Sequence, residues 1–384
     1  MRVAPGDAVG LARLLVRSDS RNPSLVPGAP GEREVALTLR EVLSTWGIHA
    51  ELQDAAPGRP NVVATVGRGP GRSLLFNGHL DVVGVEGMSH APFDAFTRNG
   101  RLHGRGASDM KSGVAAMCAA AWRAREAGLS GPLQVAAVVD EEFESAGTRM
   151  LLDRGGQADA CVVTEPTRLA IAPAHRGFTW TEFTVRGRAA HGSRYDLGID
   201  AIRHAGALLA ELDRIDREVL PRVTHHLLGH ASLHASTIEG GSGWSTYPDR
   251  CVIRVERRTL PGEMPADAVG EMDAVCAALA ARTPPIGADV RHVFSQLPSD
   301  VAIDAPVVVA LRDALAQRNE SVRIEGVSAW TDAALFNAAG IPAICFGPGD
   351  MGMAHADEEW VEETEIERAA EILTRLALDW CGRA

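Results

Sequence analysis

The sequence predicts an α/β domain interrupted by an inserted α+β domain. Three observations predict it. Short, continuous apolar runs alternate with helical patterns in the first part of the chain, as in a sheet covered on both faces. From Phe178 the order changes to β-α-β-β-α-β with half-exposed strands, the layout of a ferredoxin-like domain. After residue 294 the α/β alternation returns. The expected boundaries are 1–177, 178–294 and 295–384. A length of 384 residues suits two domains, or one domain with a large insertion.

The elements follow in order. Met1 to Val16 mixes Arg2, Asp7 and Arg13 with apolar residues and reads as an amphipathic helix. It lacks the continuous apolar core of a secretory signal. No run approaches the roughly 18–20 apolar residues of a membrane helix. The expectation is a cytoplasmic protein with no membrane partner. Asn61 to Gly67 and Ser73 to Asn77 read as strands around the turn-rich Arg68 to Arg72. Met110 to Ala127 reads as a helix opening after Asp109. Leu133 to Val139 and Ala160 to Thr164 are continuous apolar strands.

In the inserted part, Phe178 to Arg186 alternates as a half-exposed strand. A helix follows over about Gly198 to Arg217, then strands at Ala231 to Ile238 and Arg250 to Arg257. A helix at Ala266 to Ala281 and a strand at Ala288 to Phe294 complete it. The returning part has a helix at Ala305 to Arg318, a strand at Pro342 to Phe346 and a closing helix at Glu362 to Trp380.

Composition excludes some functions. Hydrophobic residues make up 46% of the chain, as in a globular protein. The formal charge of −12 argues against a nucleic-acid partner, which needs a concentrated basic face. The acidic stretch Asp357 to Glu367 reads as a solvated face. The six cysteines show no C-x-x-C spacing and read as buried free thiols.

Catalytic groups collect at strand ends in open α/β sheets, and five such places carry His, Asp or Glu. The first is Gly78-His79-Leu80-Asp81; in extended backbone His79 and Asp81 point the same way, and alone the pair is as well explained by a surface turn. The second is Gly104-Arg-Gly-Ala-Ser-Asp109-Met-Lys111, where Asp109 also suits a plain helix N-cap. The third is Asp140-Glu141-Glu142, whose carboxylates repel unless cations sit nearby. The fourth is Thr164-Glu165-Pro166. The fifth is Ala354-His355-Ala356-Asp357, after a strand that ends at Gly347-Pro-Gly349. Imidazoles and carboxylates together suit zinc and similar divalent ions.

These five motifs, in this order, resemble the metallohydrolases that include acetylornithine deacetylase, succinyl-diaminopimelate desuccinylase, aminoacylase and carboxypeptidase G. The resemblance covers nearly the whole chain. It implies a zinc-peptidase-like catalytic domain, an inserted domain used as lid and for dimerisation, and two divalent ions, zinc or cobalt. His79 and Glu165 would bind one ion, Glu142 and His355 the other, and Asp109 would bridge them. Asp81 would orient His79, and Glu141 would be the general base. A cis peptide is implied at Asp109-Met110. His191, in Ala190-His-Gly-Ser193, matches the lid histidine that reaches the oxyanion across the dimer. Arg258 matches the arginine for a substrate carboxylate. Ser245 stands where the family commonly has Asn, and Gly347 is a further candidate substrate contact. Gly84 and Met88 depart from the family's usual Pro and Trp.

The function this implies is hydrolysis of the amide of an N-acyl amino acid, in a homodimer, with the deacetylase and desuccinylase branch most similar. A dipeptidase or carboxypeptidase is the alternative. A serine amidase is a remote one: Ser108-Asp-Met-Lys111 fits S-x-x-K, but S-D-N and K-T-G are missing. His226 and His230 have the i, i+4 spacing of a zinc helix, with Leu227 in place of its glutamate; a lid surface is the better reading. A non-catalytic binding protein would ordinarily have lost a ligand or the base, and none is lost here. Asp109 stands where a nucleotide-binding G-x-G-x-x-G needs its last glycine.

Overall fold

The computed structural model describes residues 3–383, which divide into two compact units. One comprises the described residues up to Pro173, Val301–Val327 and those from Thr331 onward. The other comprises Ala174–Asp300 and Ser328–Trp330. The α/β fold with an inserted α+β domain holds.

The main sheet of the first unit runs Ala50–Ala56, Arg59–Val66, Leu133–Val138, Leu74–His79, Cys161–Val163, Ala343–Cys345 and Ile171–His175. The four strands from Leu133–Val138 to Ala343–Cys345 are parallel, in the registers His79↔Val138, Asn77↔Val163 and Cys345↔Val163. Their carboxyl ends therefore share one edge, where open α/β sheets place ligands.

The helix Ser112–Glu126 packs against Leu74–His79 and Leu133–Val138, and against the helices Ala8–Val16 and Glu363–Cys381. Its residues from Val114 to Ala121 are all buried, so it lacks the one-sided apolar stripe of a surface helix. Its alanines let neighbours approach, and Gly113 takes this furthest. A Cβ there would lie 2.0 Å from the Thr164 carbonyl oxygen, so any larger residue would drive the helix start away from the Glu165 strand end.

The N-terminal helix expected over 1–16 occupies Ala8–Val16; positions 1 and 2 lie outside the described residues. Asp7 caps it by accepting from the Gly10 N–H at 2.8 Å. Some elements carry too short a pattern to be read from sequence. The strands Phe96–Arg98, Arg101–His103 and Trp360–Glu362 form a small separate sheet. That sheet corrects the reading of residues 357–367 as a solvated face: Val361 and Glu359 are fully buried.

The second unit is an antiparallel sheet in the order Ser232–Gly240, Arg250–Thr259, Gly177–Arg186 and Ala288–Gln296. With helices Ala201–Arg214 and Pro265–Ala280, this is the ferredoxin-like arrangement. Alternation decides its faces. Phe183, Val185, Ile253 and Val255 are buried with Leu208, Leu212, Met272 and Val275 of the helices, while Phe178, Trp180 and Glu182 lie on the other face. The first helix ends at Arg214 rather than Arg217 and passes into a wider turn, Ile215–Val219. Thr224–His225 and Gly229–His230 form a short hairpin, so His226 and His230 share no helix face.

All six cysteines are free thiols, and only Cys276 is less than buried. Among the described residues no helix is long and apolar enough to cross a membrane.

Candidate metal centre

The shared edge of the parallel strands brings His79, Asp109, Glu142, Glu165 and His355 together in two overlapping groups. His79, Asp109 and Glu165 form one; Asp109, Glu142 and His355 form the other. Within each, the potential ligand atoms lie within 4.8 Å of one another. Asp109 belongs to both. Its Oδ1 is 3.0 Å from His79 Nε2 and its Oδ2 is 3.7 Å from His355 Nε2. His355 Nε2 also lies 3.0 Å from Glu142 Oε2.

Each side chain has a local reason for its place. His79 ends the strand Leu74–His79. Its Nδ1 lies 2.9 Å from the Asp81 backbone oxygen, and a proton donated there leaves Nε2 free to bind a cation. Asp81 was expected to orient His79 with its carboxylate, but that group stands 3.7 Å from Nδ1. It accepts instead from the backbone N–H groups of Glu141 and Glu142, at 3.2 and 3.1 Å, and from Asn22 Nδ2 at 2.9 Å. Asp81 thus holds His79 through its main chain and the Glu141-Glu142 loop through its side chain.

Asp109 lies in the irregular turn Ala107–Lys111 with φ −119° and ψ 97°, and makes no N-cap for the helix that begins at Ser112. The Asp109–Met110 peptide is cis, as the resemblance implied. Glu359 holds this turn. Its Oε1 accepts from the N–H groups of Ser108 and Asp109 at 2.8 and 3.0 Å, and its Oε2 from Gly106 N–H and Arg105 Nη1 at 3.0 and 2.8 Å. Behind the Glu141 loop, Arg59 pairs with Asp140 at 2.8 Å and with the buried Glu32.

Sequence reasoning missed Asn22, Glu32, Arg59 and Glu359. Each is a single residue far along the chain from what it supports. Only Glu359 carried a signal, following His355 in the acidic run that was read as solvated.

The electrostatics follow from carboxylates crowded out of water. Burial, then the charges of Glu165, Asp332 and Glu142, hold Glu141 well above the ordinary carboxylate range, against the pull of His79. Burial and the Asp109 charge do the same to Glu165. Burial lifts Asp332 to about 6. Burial would also raise Asp109, but the His79 hydrogen bond and the charges of His79, His355 and Arg105 hold it low. The hydrogen bond to Glu142 raises His355 to about 9. Burial pushes Lys111 down to about 7.

This donor set fits divalent cations. The clustered carboxylates need positive charge, and the buried Glu165 Oε1 has no hydrogen-bond partner. Oxygen and imidazole donors suit zinc or cobalt.

The remaining candidates stand elsewhere. His191, exposed, lies in the second unit, where the Ser193 N–H donates to its Nδ1 at 3.2 Å. Its Nδ1 also lies 2.8 Å from Ser193 Oγ, so Nδ1 is engaged within the loop and Nε2 is the ring nitrogen left open. Arg258 pairs with Glu256 at 2.8 Å. Ser245 is in an exposed loop whose carbonyl accepts from Gly192 N–H. Gly347 is a packing position, not a free backbone contact. Its N–H donates to Thr167 Oγ1, its carbonyl accepts from Leu169 N–H, and a Cβ would lie 2.4 Å from the Thr164 oxygen. The S-x-x-K alternative fails. Ser108 Oγ donates to the Asp350 carbonyl and accepts from the Asp350 N–H, while Lys111 Nζ donates to the Ser18 carbonyl.

Fold and site together define a metallohydrolase. The chain belongs to peptidase family M20/M25/M40, which it matches over residues 75–379. It is 31% identical over 349 residues to acetylornithine deacetylase of Myxococcus xanthus, covering 88% of this chain and 90% of that one. It is 28% identical to the N-formyl-4-amino-5-aminomethyl-2-methylpyrimidine deformylase of Bacillus subtilis, covering 89% and 88%. In fold it is similar to an M20 family metallo-carboxypeptidase from Sulfolobus solfataricus, at a TM-score of 0.82 and 18% identity, over 97% and 98% of the two chains.

Glu359→Gln is expected to loosen the Asp109 turn, since an amide nitrogen cannot accept from backbone N–H groups. Residues that support ligands in this way are worth about 10- to 100-fold in cation affinity. Competition with a chelator of known affinity measures it; wild-type affinity in that variant would show that Glu359 does not position Asp109.

Proposed function

We propose that this chain hydrolyses the amide of N-acyl amino acids. The observation that carries the reading is the double placement of Asp109, one oxygen toward His79 and the other toward His355. His79 and Glu165 would hold one divalent ion, Glu142 and His355 the other, with Asp109 shared. Ions so held polarise a carbonyl oxygen and make water acidic enough to attack at neutral pH.

The chain's own residues supply the rest. Glu141 takes the proton from the attacking water; it stands beside His79 without belonging to either group of potential ligands. It then delivers that proton to the leaving amine nitrogen as the C–N bond breaks. His191 offers Nε2–H to the developing oxyanion. Arg258 presents its guanidinium to the substrate carboxylate. A homodimer belongs to this reading, because His191 acts across subunits. So do zinc or cobalt as the ion and a cytoplasmic location. The deacetylase and deformylase relatives, each named for releasing a small acyl group, support an N-acyl substrate. Short peptides are the alternative.

The test is a hydrolysis screen of N-acetyl, N-succinyl and N-formyl amino acids against dipeptides, with zinc or cobalt added to chelator-stripped protein. Cleavage of dipeptides alone would replace this reading with a peptidase. His191→Ala is expected to cut kcat by roughly 100- to 1,000-fold with little change in KM, as for a donor used mainly in the transition state. A change confined to KM would contradict that role.

A further inference from the structure

His103 is 3% exposed, and neither of its ring nitrogens has a partner among the described residues. Buried polar groups are nearly always bonded, so a bare buried imidazole calls for a ligand. His90 stands beside it, with ring centroids 6.0 Å apart and planes at 87°. Its Nδ1 lies 3.2 Å from the Ala91 carbonyl oxygen. A proton donated there leaves Nε2 bare, and that nitrogen too is buried and without a partner. Histidines that bind metal ions are ordinarily held in this way, with the second nitrogen donating to a carbonyl. Phe96 fixes the His103 ring, stacked on it at 4.8 Å with planes 4° apart. His90 and His103 belong to neither group of potential ligands at the metal centre.

The spacing suits one shared ion. Two imidazoles bonded to an ion at about 2.0–2.1 Å have centroids about 4.5–6.4 Å apart, as the bond angle opens from about 90° to 180°. The observed 6.0 Å falls in that range. His103 is also in the neutral form that binds metal. Burial, then the charges of Arg98, His90 and Arg101, hold it below the ordinary imidazole range against the pull of Glu358. Arg101 is itself paired with Glu362 at 2.7 Å. Glu358 is exposed and accepts from Ser89 Oγ at 3.3 Å, so a carboxylate stands next to the His90 segment.

We propose that His90 and His103 form a further cation site, separate from the carboxylate-rich centre, for a transition ion that prefers nitrogen donors, copper(II) foremost. Two imidazoles give zinc only half of the donors that its tetrahedral protein sites use. Copper(II) binds nitrogen donors most tightly among the first-row divalent ions. The ion joins two parts of the catalytic unit. His90 lies in residues 83–95, which form no helix or strand, and His103 ends the strand Arg101–His103. The same loop already meets the residue after Gly104, because the Arg105 N–H donates to the Pro92 carbonyl at 2.8 Å. An ion between the imidazoles adds a second tie beside it.

The experiment adds copper(II) to full-length, zinc-loaded protein, for wild type, His90→Ala and His103→Phe. The phenyl ring of His103→Phe keeps the stack on Phe96; if that variant fails to fold, His90→Ala, at a half-buried loop position, decides alone. Bound copper and zinc are both counted, and electron paramagnetic resonance reads the copper donors. The expected result in wild type is one copper(II) per chain with two nitrogen donors, taken up without loss of zinc. Each variant should bind it roughly tenfold or more weakly, with the two-nitrogen signal gone. Equal copper binding by all three proteins overturns the proposal, since the copper then sits on other histidines. Copper that enters only as zinc leaves overturns it too, by placing the ion at the metal centre. So does a wild type that binds no copper. Hydrolysis plays no part in this test, so its outcome is separate from that of the proposed reaction.

Discussion

Glu141→Gln is expected to lower kcat by about 100- to 10,000-fold, the range for a general acid–base group, while fold and cation content stay intact. The side chain is 9% exposed, and its Oε2 lies 3.9 Å from His79 Nε2. Its backbone N–H is fixed by Asp81. An amide fills the same space but cannot take a proton from water. Glu141 is also in neither group of potential ligands, so cation content should not change. The substitution has a second, less obvious consequence. Glu141 sits among Glu165, Asp332 and Glu142, whose charges repel its own. An amide of the same size adds neither a clash nor a charge there, so the variant should unfold at the same temperature as wild type or higher. Stopped turnover with unchanged or raised Tm is the signature. A Tm well below wild type would mean that Glu141 supports structure instead, and retained turnover would assign the base elsewhere.

Asp109→Asn is expected to have a comparable effect by a different route. Asp109 is common to both groups of potential ligands, so this one change weakens both. The lost stabilisation of several kcal/mol corresponds to a fall in turnover on the order of 1,000-fold. Unlike Glu141→Gln, it should lower the amount of cation retained after dialysis. Elemental analysis separates the two variants: Glu141→Gln loaded and inactive, Asp109→Asn depleted and inactive. An Asp109→Asn protein that retains full cation content would contradict the shared-ligand geometry.

The site was legible in the sequence where chemistry and strand ends coincide. His79, the Glu141-Glu142 pair and Glu165 each follow a strand that an apolar run announces, and the parallel registers bring those ends to one edge. His355 is different: it lies beyond its strand, in a loop where it adopts a left-handed φ of 61°, and only its motif marked it. The supporting residues were not legible. Glu359 accepts four hydrogen bonds from residues 105 to 109, a relation set by tertiary packing about 250 residues along the chain. Arg59 and Glu32 serve Asp140 in the same way. Asp81 shows the limit within a motif, since its identity was readable but the division of labour between its carbonyl and its carboxylate was not. The inserted domain's strands were clear from alternation, which puts Phe178 and Trp180 on one face, whereas their packing with Phe294 and Trp330 joins segments that no local pattern connects.

The central claim is that these side chains gather paired divalent cations on which hydrolysis depends. The most direct measurement titrates zinc or cobalt into chelator-stripped protein, following bound cation and amide hydrolysis together. The account predicts two ions per chain at saturation and activity that is absent from the stripped protein and restored with loading. Full hydrolysis by a preparation shown to contain no divalent ion would contradict it.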